Sequence, residues 1–174
     1  MGKYYKISNK IEELIIDNPK KNGQLNWLNI NSAGKPELEY LLKRQHFNLG
    51  HLQSSMARSI AQRASLEKTD DYIFVILHFP IIRDGLVVPA EIEFFMGHGY
   101  LVTIHNGDLP ALSDFFNLCK KDENSLLSYE LESSSILLYE ILNRLLKYCY
   151  GILDEHGKRI EIGRASCRER VYHP

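Results

Sequence analysis

The sequence predicts an α/β domain: a mixed central β-sheet sandwiched by α-helices and ending in a long amphipathic helix. Three observations carry this. Residues 72–79 form a nearly unbroken β-branched and aromatic run without polar alternation, which marks a central strand covered on both faces. Residues 91–96 and 100–105 are two further strand-like runs close behind it, so the three make an antiparallel meander. Leu138, Ile141, Leu142, Leu145, Leu146, Cys149, Ile152 and Leu153 recur at helical spacing, which predicts a helix over about 134–155.

In chain order, residues 3–7 suit a short edge strand. Residues 10–17 place Ile11, Leu14 and Ile15 at a spacing that fits a helix or a strand. The segment 18–23, with Pro19 and Gly23, reads as a loop. Leu25, Trp27, Leu28 and Ile30 mark a half-buried strand. Pro36 opens a helix that turns Leu38, Leu41 and Leu42 inward. Phe47, Leu49, Leu52 and Met56 line a second short helix, and 62–68 is a polar connection. Arg83-Asp84-Gly85 and Gly97-His98-Gly99 are turns, since glycine takes positive φ at no steric cost. After the turn at Asn106-Gly107-Asp108, Pro110 starts a helix with Leu112, Phe115, Phe116 and Cys119 on one face. Residues 120–128 form a polar loop, and Ser133-Ser134-Ser135 is an N-cap cluster for the last helix.

Composition bounds the function. The chain has 174 residues, 44% hydrophobic and 25% charged, enough for one domain with a sizeable core. A formal net charge of −1 gives no basic field for nucleic acid. No apolar run reaches the ~18 residues of a membrane span, and the N-terminus lacks the apolar core of a signal peptide. Gly2 does not make a myristoylation site, because no Ser or Thr follows at the required position. Cys119, Cys149 and Cys167 are unpatterned, which fits structural thiols in a reducing compartment. Residues 162–174 look foreign. From Ile162 to Val171 the chain is basic, aperiodic and abruptly unlike the helix before it, as a translated sequencing adapter would be. On this reading the native domain is 1–161, cut short, and 162–174 is a non-native tail.

No residue set makes a catalytic constellation. His46, His51, His78, His98, His105, His156 and His173 include no i, i+4 pair on a helix, and no Cys-x-x-Cys is present, so spacing names no metal site. His78 and His105, in or at the ends of strands, read as partly buried, hydrogen-bonded imidazoles. Glu91 and Glu93 share one face of a strand, where a solvated edge explains them. Gly97-His98-Gly99 lacks the third glycine and the helix of a phosphate cradle.

The order of motifs says more. The chain runs from Trp27-Leu28-Asn29-Ile30 through Glu37-Leu38, Leu41, Phe47 and Arg63-x-x-x-Glu67 to Asp70-Asp71-Tyr72-Ile73-Phe74. Glu91-Ile92-Glu93-Phe94-Phe95-Met96-Gly97, Tyr100-Leu101-Val102-Thr103-Ile104-His105 and Leu137-Leu138-Tyr139-x-x-Leu142 complete the series. This order resembles the N-terminal cytoplasmic domain of the CorA-like divalent-cation (magnesium/cobalt) transporters, over roughly 27–154. The resemblance implies a homopentamer in the inner membrane, whose cytoplasmic α/β domains feed a stalk helix and then the pore. The stalk, the membrane helices and the Gly-Met-Asn loop of the family are not in this sequence. The implied role is regulation and assembly, not catalysis, with Mg²⁺ or another divalent cation as the transported ion, no cofactor in this fragment and no nucleic-acid partner.

The departures also count. The family's acidic regulatory pair falls on Ser55 and Met56, and its late Asp on Asn143. A thioether and a neutral amide are poor ligands for a hard cation. Ala64 replaces the Pro of an Arg-Pro-Lys segment. Magnesium gating through these positions is therefore not expected, which leaves the zinc-transporting branch of the family as the runner-up. A stand-alone soluble α/β enzyme or ligand-binding module is the competing reading from another class, because fold alone does not fix function.

Overall fold

In a computed structural model, residues 2–18, 23–44, 47–54, 62–121, 131 and 133–171 are described, with the backbone alone for 2, 18, 54 and 156–171. The strands are β1 (Gly2–Lys6), β2 (Ile11–Asn18), β3 (Gly23–Asn31), β4 (Ser65–Lys68), β5 (Tyr72–Arg83), β6 (Leu86–Gly97) and β7 (Tyr100–His105). The helices are α1 (Lys35–Arg44), α2 (Leu49–Ser54), α3 (Pro110–Lys121) and α4 (Ser134–Val171). The strands form one mixed sheet in the order β1-β2-β3-β7-β6-β5-β4. Among the described residues, only β3 and β7 pair in parallel.

Alternation along each strand divides the core into two layers. Trp27, Phe94, Ile92 and Leu101 point to the side covered by Leu112, Phe115 and Phe116 of α3 and Leu137, Ile141 and Leu145 of α4. Leu28, Ile30, Phe95, Val102 and Ile104 point to the other side, under Leu38 and Leu41 of α1 and Leu52 of α2. Trp27 is fully buried, edge-on to Phe116 with ring centroids 4.9 Å apart. Such a pair contributes about 0.5–1.5 kcal/mol beyond the area it buries.

The local signals explain most ends. Asp84 and Gly85 both have positive φ, the primed-turn geometry that a right-twisted hairpin favours. The Glu37 carboxylate accepts the Gly34 N–H at 2.8 Å and closes the first turn of α1. Pro110 stands at the first position of α3, where its missing N–H costs nothing. Ser133 caps α4 through its hydroxyl, which accepts the Ile136 N–H at 3.3 Å.

Several expectations are corrected. Residues 72–79 do lie inside the sheet, in β5, but β5 is next to the edge and β7 holds the middle. In β5, Tyr72, Phe74 and Ile76 are buried and Ile73, Val75 and Leu77 half-buried, so neither face of that stretch is open to solvent. The polar connection contains β4, an edge strand that is mostly exposed and therefore carries no hydrophobic signature. Residues 10–17 resolve as strand β2. Leu42 and Leu49 are exposed, while Glu37 is buried by its capping role. Lys120 and Lys121 belong to α3. The helix expected to close near 155 continues as backbone to Val171. Met56 and most of the expected loops at 18–23 and 120–128 fall outside the described residues.

Candidate functional site

The polar groups with the most definite geometry lie where α2 covers β4 and β5. His51 of α2 stacks on Phe74 of β5, ring centroids 4.5 Å apart and planes within 19°. The Tyr72 hydroxyl accepts the Asn48 N–H at 2.8 Å and lies 2.9 Å from His51 Nδ1. It therefore donates to Nδ1, which leaves the Nε2 proton for Glu67 Oε2 at 2.9 Å. Glu67 sits on β4, so this relay ties the edge strand to the helix above it.

A second imidazole–carboxylate pair lies further along β5. His78 Nε2 is 3.1 Å from Glu91 Oε2, which also accepts the Gln62 N–H at 3.0 Å. The β5–β6 register places His78 directly opposite Glu91. This overturns the solvated-edge reading of Glu91 and Glu93: β6 lies between β5 and β7, Glu91 is half-buried and Glu93 is 3% exposed. Sequence reading missed the match because it depends on register, which a hairpin fixes only through its turn.

His105 ends the central strand beneath the other helical layer and is 4% exposed. Burial pulls its imidazole down to about 4, against an opposing pull from Asp108. Hydrogen-bonded imidazoles at His78 and His105 are thus what the structure contains. His98 is exposed in the β6–β7 turn, and the side chains of His46, His156 and His173 lie outside the described residues. Gly97-His98-Gly99 is a hairpin turn between two strands, with Gly99 at φ +75°.

Sequence reading also missed a partly buried ion pair between β2 and α1. The Arg44 guanidinium donates through both terminal nitrogens to the Glu13 carboxylate, one at 3.0 Å. Glu13 is 5% exposed. Its alternation with Leu14 places it on the α1 side only once residues 11–18 are read as a strand.

Of the positions expected to matter for cation sensing, Asn143 is half-buried on α4, and Ser55 and Met56 lie outside the described residues. Among the described residues no group of three or more His, Cys, Asp or Glu is placed to hold a metal ion. Among them, too, no helix is long and apolar enough to cross a membrane. The Cys119 thiol is free and buried, which pushes it up to about 12. Cys149, half-buried, is shifted the same way by burial. Cys167 lies where only the backbone is described. The arrangement therefore braces the sheet against its helices and presents no assembled reaction centre among the described residues.

Comparison with known proteins supplies what these side chains do not. The soluble domain of CorA from Methanocaldococcus jannaschii superposes with a TM-score of 0.69 at 19% identity, over 82% of this chain and 55% of that one. The complete CorA magnesium transporter of that organism gives 0.68 at 16%, over 93% and 52%. The ZntB cytoplasmic domain from Vibrio parahaemolyticus RIMD 2210633 gives 0.59 at 15%, over 88% and 63%. The chain thus spans between about half and two thirds of these structures, and at such identities the likeness is one of fold. No curated protein matches it. The profile of the CorA-like Mg²⁺ transporter proteins matches residues 22–165, most of the sheet and all four helices up to the last turns of α4, and the chain belongs to that family.

Proposed function

We propose that this chain is the cytoplasmic domain of a divalent-cation transporter, and that it serves assembly and regulation rather than catalysis. The observation that carries the reading is the family match over 22–165, which spans five of the seven strands and the last helix up to its final turns. The full-length protein would carry Mg²⁺ as its substrate through a homopentameric pore in the inner membrane, with this domain on the cytoplasmic side. The imidazole–carboxylate pairs at His51–Glu67 and His78–Glu91 suit a scaffold, since each polar group is held by a fixed partner.

Zinc transport is the second reading, favoured by one specific feature. Asn143 offers a neutral amide where the magnesium-sensing members resembled above carry a carboxylate, so this domain lacks one of their anionic oxygen ligands. The deciding experiment reconstitutes the full-length protein in liposomes and follows Mg²⁺ and Zn²⁺ influx with ion-selective dyes. Mg²⁺ influx is expected. Zn²⁺ influx without Mg²⁺ would favour the second reading, and a protein that inserts but carries neither cation would overturn both.

A further inference from the structure

His78 and Glu91 stand in a geometry that their bracing role leaves partly unused. The β5–β6 register sets them directly opposite each other on adjacent strands. Side chains so placed start only about 4.5–5.5 Å apart at Cβ, which leaves them little room to drift. His78 Nε2 and Glu91 Oε2 end 3.1 Å apart. The same carboxylate oxygen accepts the Gln62 main-chain N–H at 3.0 Å, so its direction is fixed a second time. Neither side chain is sealed from water, with 22% of one and 24% of the other exposed.

We propose that this pair binds a late first-row divalent cation, of the zinc or cobalt kind, with water completing its coordination. Zinc takes imidazole nitrogen and carboxylate oxygen at about 2.0–2.2 Å. Two such donors stand ~3.0 Å apart at right angles and ~3.4 Å apart at tetrahedral positions. The observed 3.1 Å lies between these, so a cation enters with little movement of either side chain. The ring then keeps its proton on Nδ1 and gives the Nε2 lone pair to the metal. An outer hydrogen bond to a ligating carboxylate, as Gln62 makes to Glu91, is the usual support of such a site. Imidazole suits zinc, cobalt and nickel, whereas magnesium takes oxygen ligands. No third His, Cys, Asp or Glu joins the pair among the described residues. Two protein donors are fewer than a structural zinc site uses, so the ion exchanges with solvent.

The His51–Glu67 pair does not offer the same. Tyr72 donates to His51 Nδ1, which commits the Nε2 of that ring to carrying the proton. Glu67 is 59% exposed on a four-residue edge strand, so its carboxylate is poorly fixed. Among the described residues no second hydrogen bond sets the tautomer of His78. Every group the site uses is in one chain. It therefore rests neither on the number of copies in an assembly nor on the transporter reading.

The test titrates the 174-residue chain with Co²⁺ alone and follows its amide resonances by NMR. Cys149→Ser and Cys167→Ser are included to remove thiols that also bind these metals. The amides of Gln62, His78 and Glu91 should be among the first to broaden, through the paramagnetism of the bound ion. Zn²⁺ should shift the same resonances saturably, and millimolar Mg²⁺ should not move them. The Kd for Zn²⁺ is then read from the Gln62 amide in three variants. His78→Gln and Glu91→Gln should each raise it by at least ~10-fold, since losing a ligand costs no less than losing an outer-shell partner. His98→Gln, in the exposed β6–β7 turn, should leave it unchanged. Far-ultraviolet circular dichroism checks that the variants fold, and the Co²⁺ titration of the chain with both residues intact decides the site even where one does not. Full intensity at Gln62, His78 and Glu91 up to millimolar Co²⁺, an equal response to Mg²⁺, or a Kd indifferent to both substitutions would overturn the proposal.

Discussion

Nε2 of His105 lies 3.1 Å from Oδ1 of Asn29, across the one parallel strand pair in the sheet. Nδ1 of the same ring accepts the Gly107 N–H at 2.9 Å, so the proton belongs on Nε2. Asn29 Oδ1 also accepts the Thr103 hydroxyl at 2.8 Å, and Thr103 Oγ1 in turn accepts the Trp27 indole N–H at 3.2 Å. A short polar ladder thus runs through the α3/α4 core layer with each of these donors matched to an acceptor, and it requires a neutral imidazole at its end.

The ladder predicts acid sensitivity. Folding lowers the His105 imidazole from 6.5 to about 4, so between those values the unfolded chain binds the extra proton. Stability contributed by the neutral ring is complete above about pH 6.5 and is lost as pH falls towards 4. The full loss is of order 3 kcal/mol, at about 1.4 kcal/mol per pH unit. Urea unfolding from pH 4 to 8 should show this loss in the parent chain, and His105→Gln should flatten it while lowering stability at pH 7. Equal slopes in both proteins would assign the acid loss to other groups.

The β6–β7 turn makes a steric prediction. A Cβ at Gly97 would lie 2.2 Å from ring atoms of Tyr100, its register partner. The φ of Gly97 is not in the left-handed region, so the requirement is space and not backbone freedom. Gly97→Ala should destabilise by about 1–3 kcal/mol, the usual range for overpacking. Removing the ring with Tyr100→Ala should make the second substitution nearly neutral. A double-mutant cycle in denaturant checks this, and strict additivity would show that the ring simply swings away.

How much of this was legible depended on whether a residue's role was local. The Asp84-Gly85 turn, the Ser133 cap and the Pro110 start are local chemistry and stand where the sequence placed them. The two-layer core followed from apolar periodicity. Strand β4 was invisible because Leu66 and Glu67 are exposed and its only partner is β5. The middle place of β7 could not be read from apolar runs, since a run reports covered faces and not which strands lie alongside. Glu91 and Glu93 misled for a related reason: carboxylates are buried only when a partner far along the chain holds them. The resemblance needed the order of motifs, not any one of them.

The tail invites a direct deletion. Residues 162–174 are proposed to be foreign to the domain, so they were not shaped to pack on it. The helical backbone through Val171 is compatible with this, because a helix end propagates at little cost once begun. Ending the chain at 161 should leave the melting temperature nearly unchanged. A drop of several degrees would mean that these residues contribute native contacts.

The last prediction concerns magnesium. If Ser55, Met56 and Asn143 occupy the regulatory positions, they offer a hydroxyl, a thioether and an amide where a hard cation needs carboxylates. A cation that binds the folded state at a hundred times its Kd would stabilise it by about 2.7 kcal/mol. Millimolar Mg²⁺ is expected to give no such gain, even when copies are brought together by fusion to a pentamer-forming coiled coil. The fusion matters because a site shared between subunits is silent in a single chain. The check is a thermal melt of the fusion with and without Mg²⁺, beside a Ser55→Glu/Met56→Asp/Asn143→Asp variant that restores the carboxylates. Stabilisation of the variant alone is the expected outcome. A clear Mg²⁺-dependent rise in the unmutated fusion would show that other carboxylates, with Asp70 and Asp71 before β5 the first to test, have taken over the sensing.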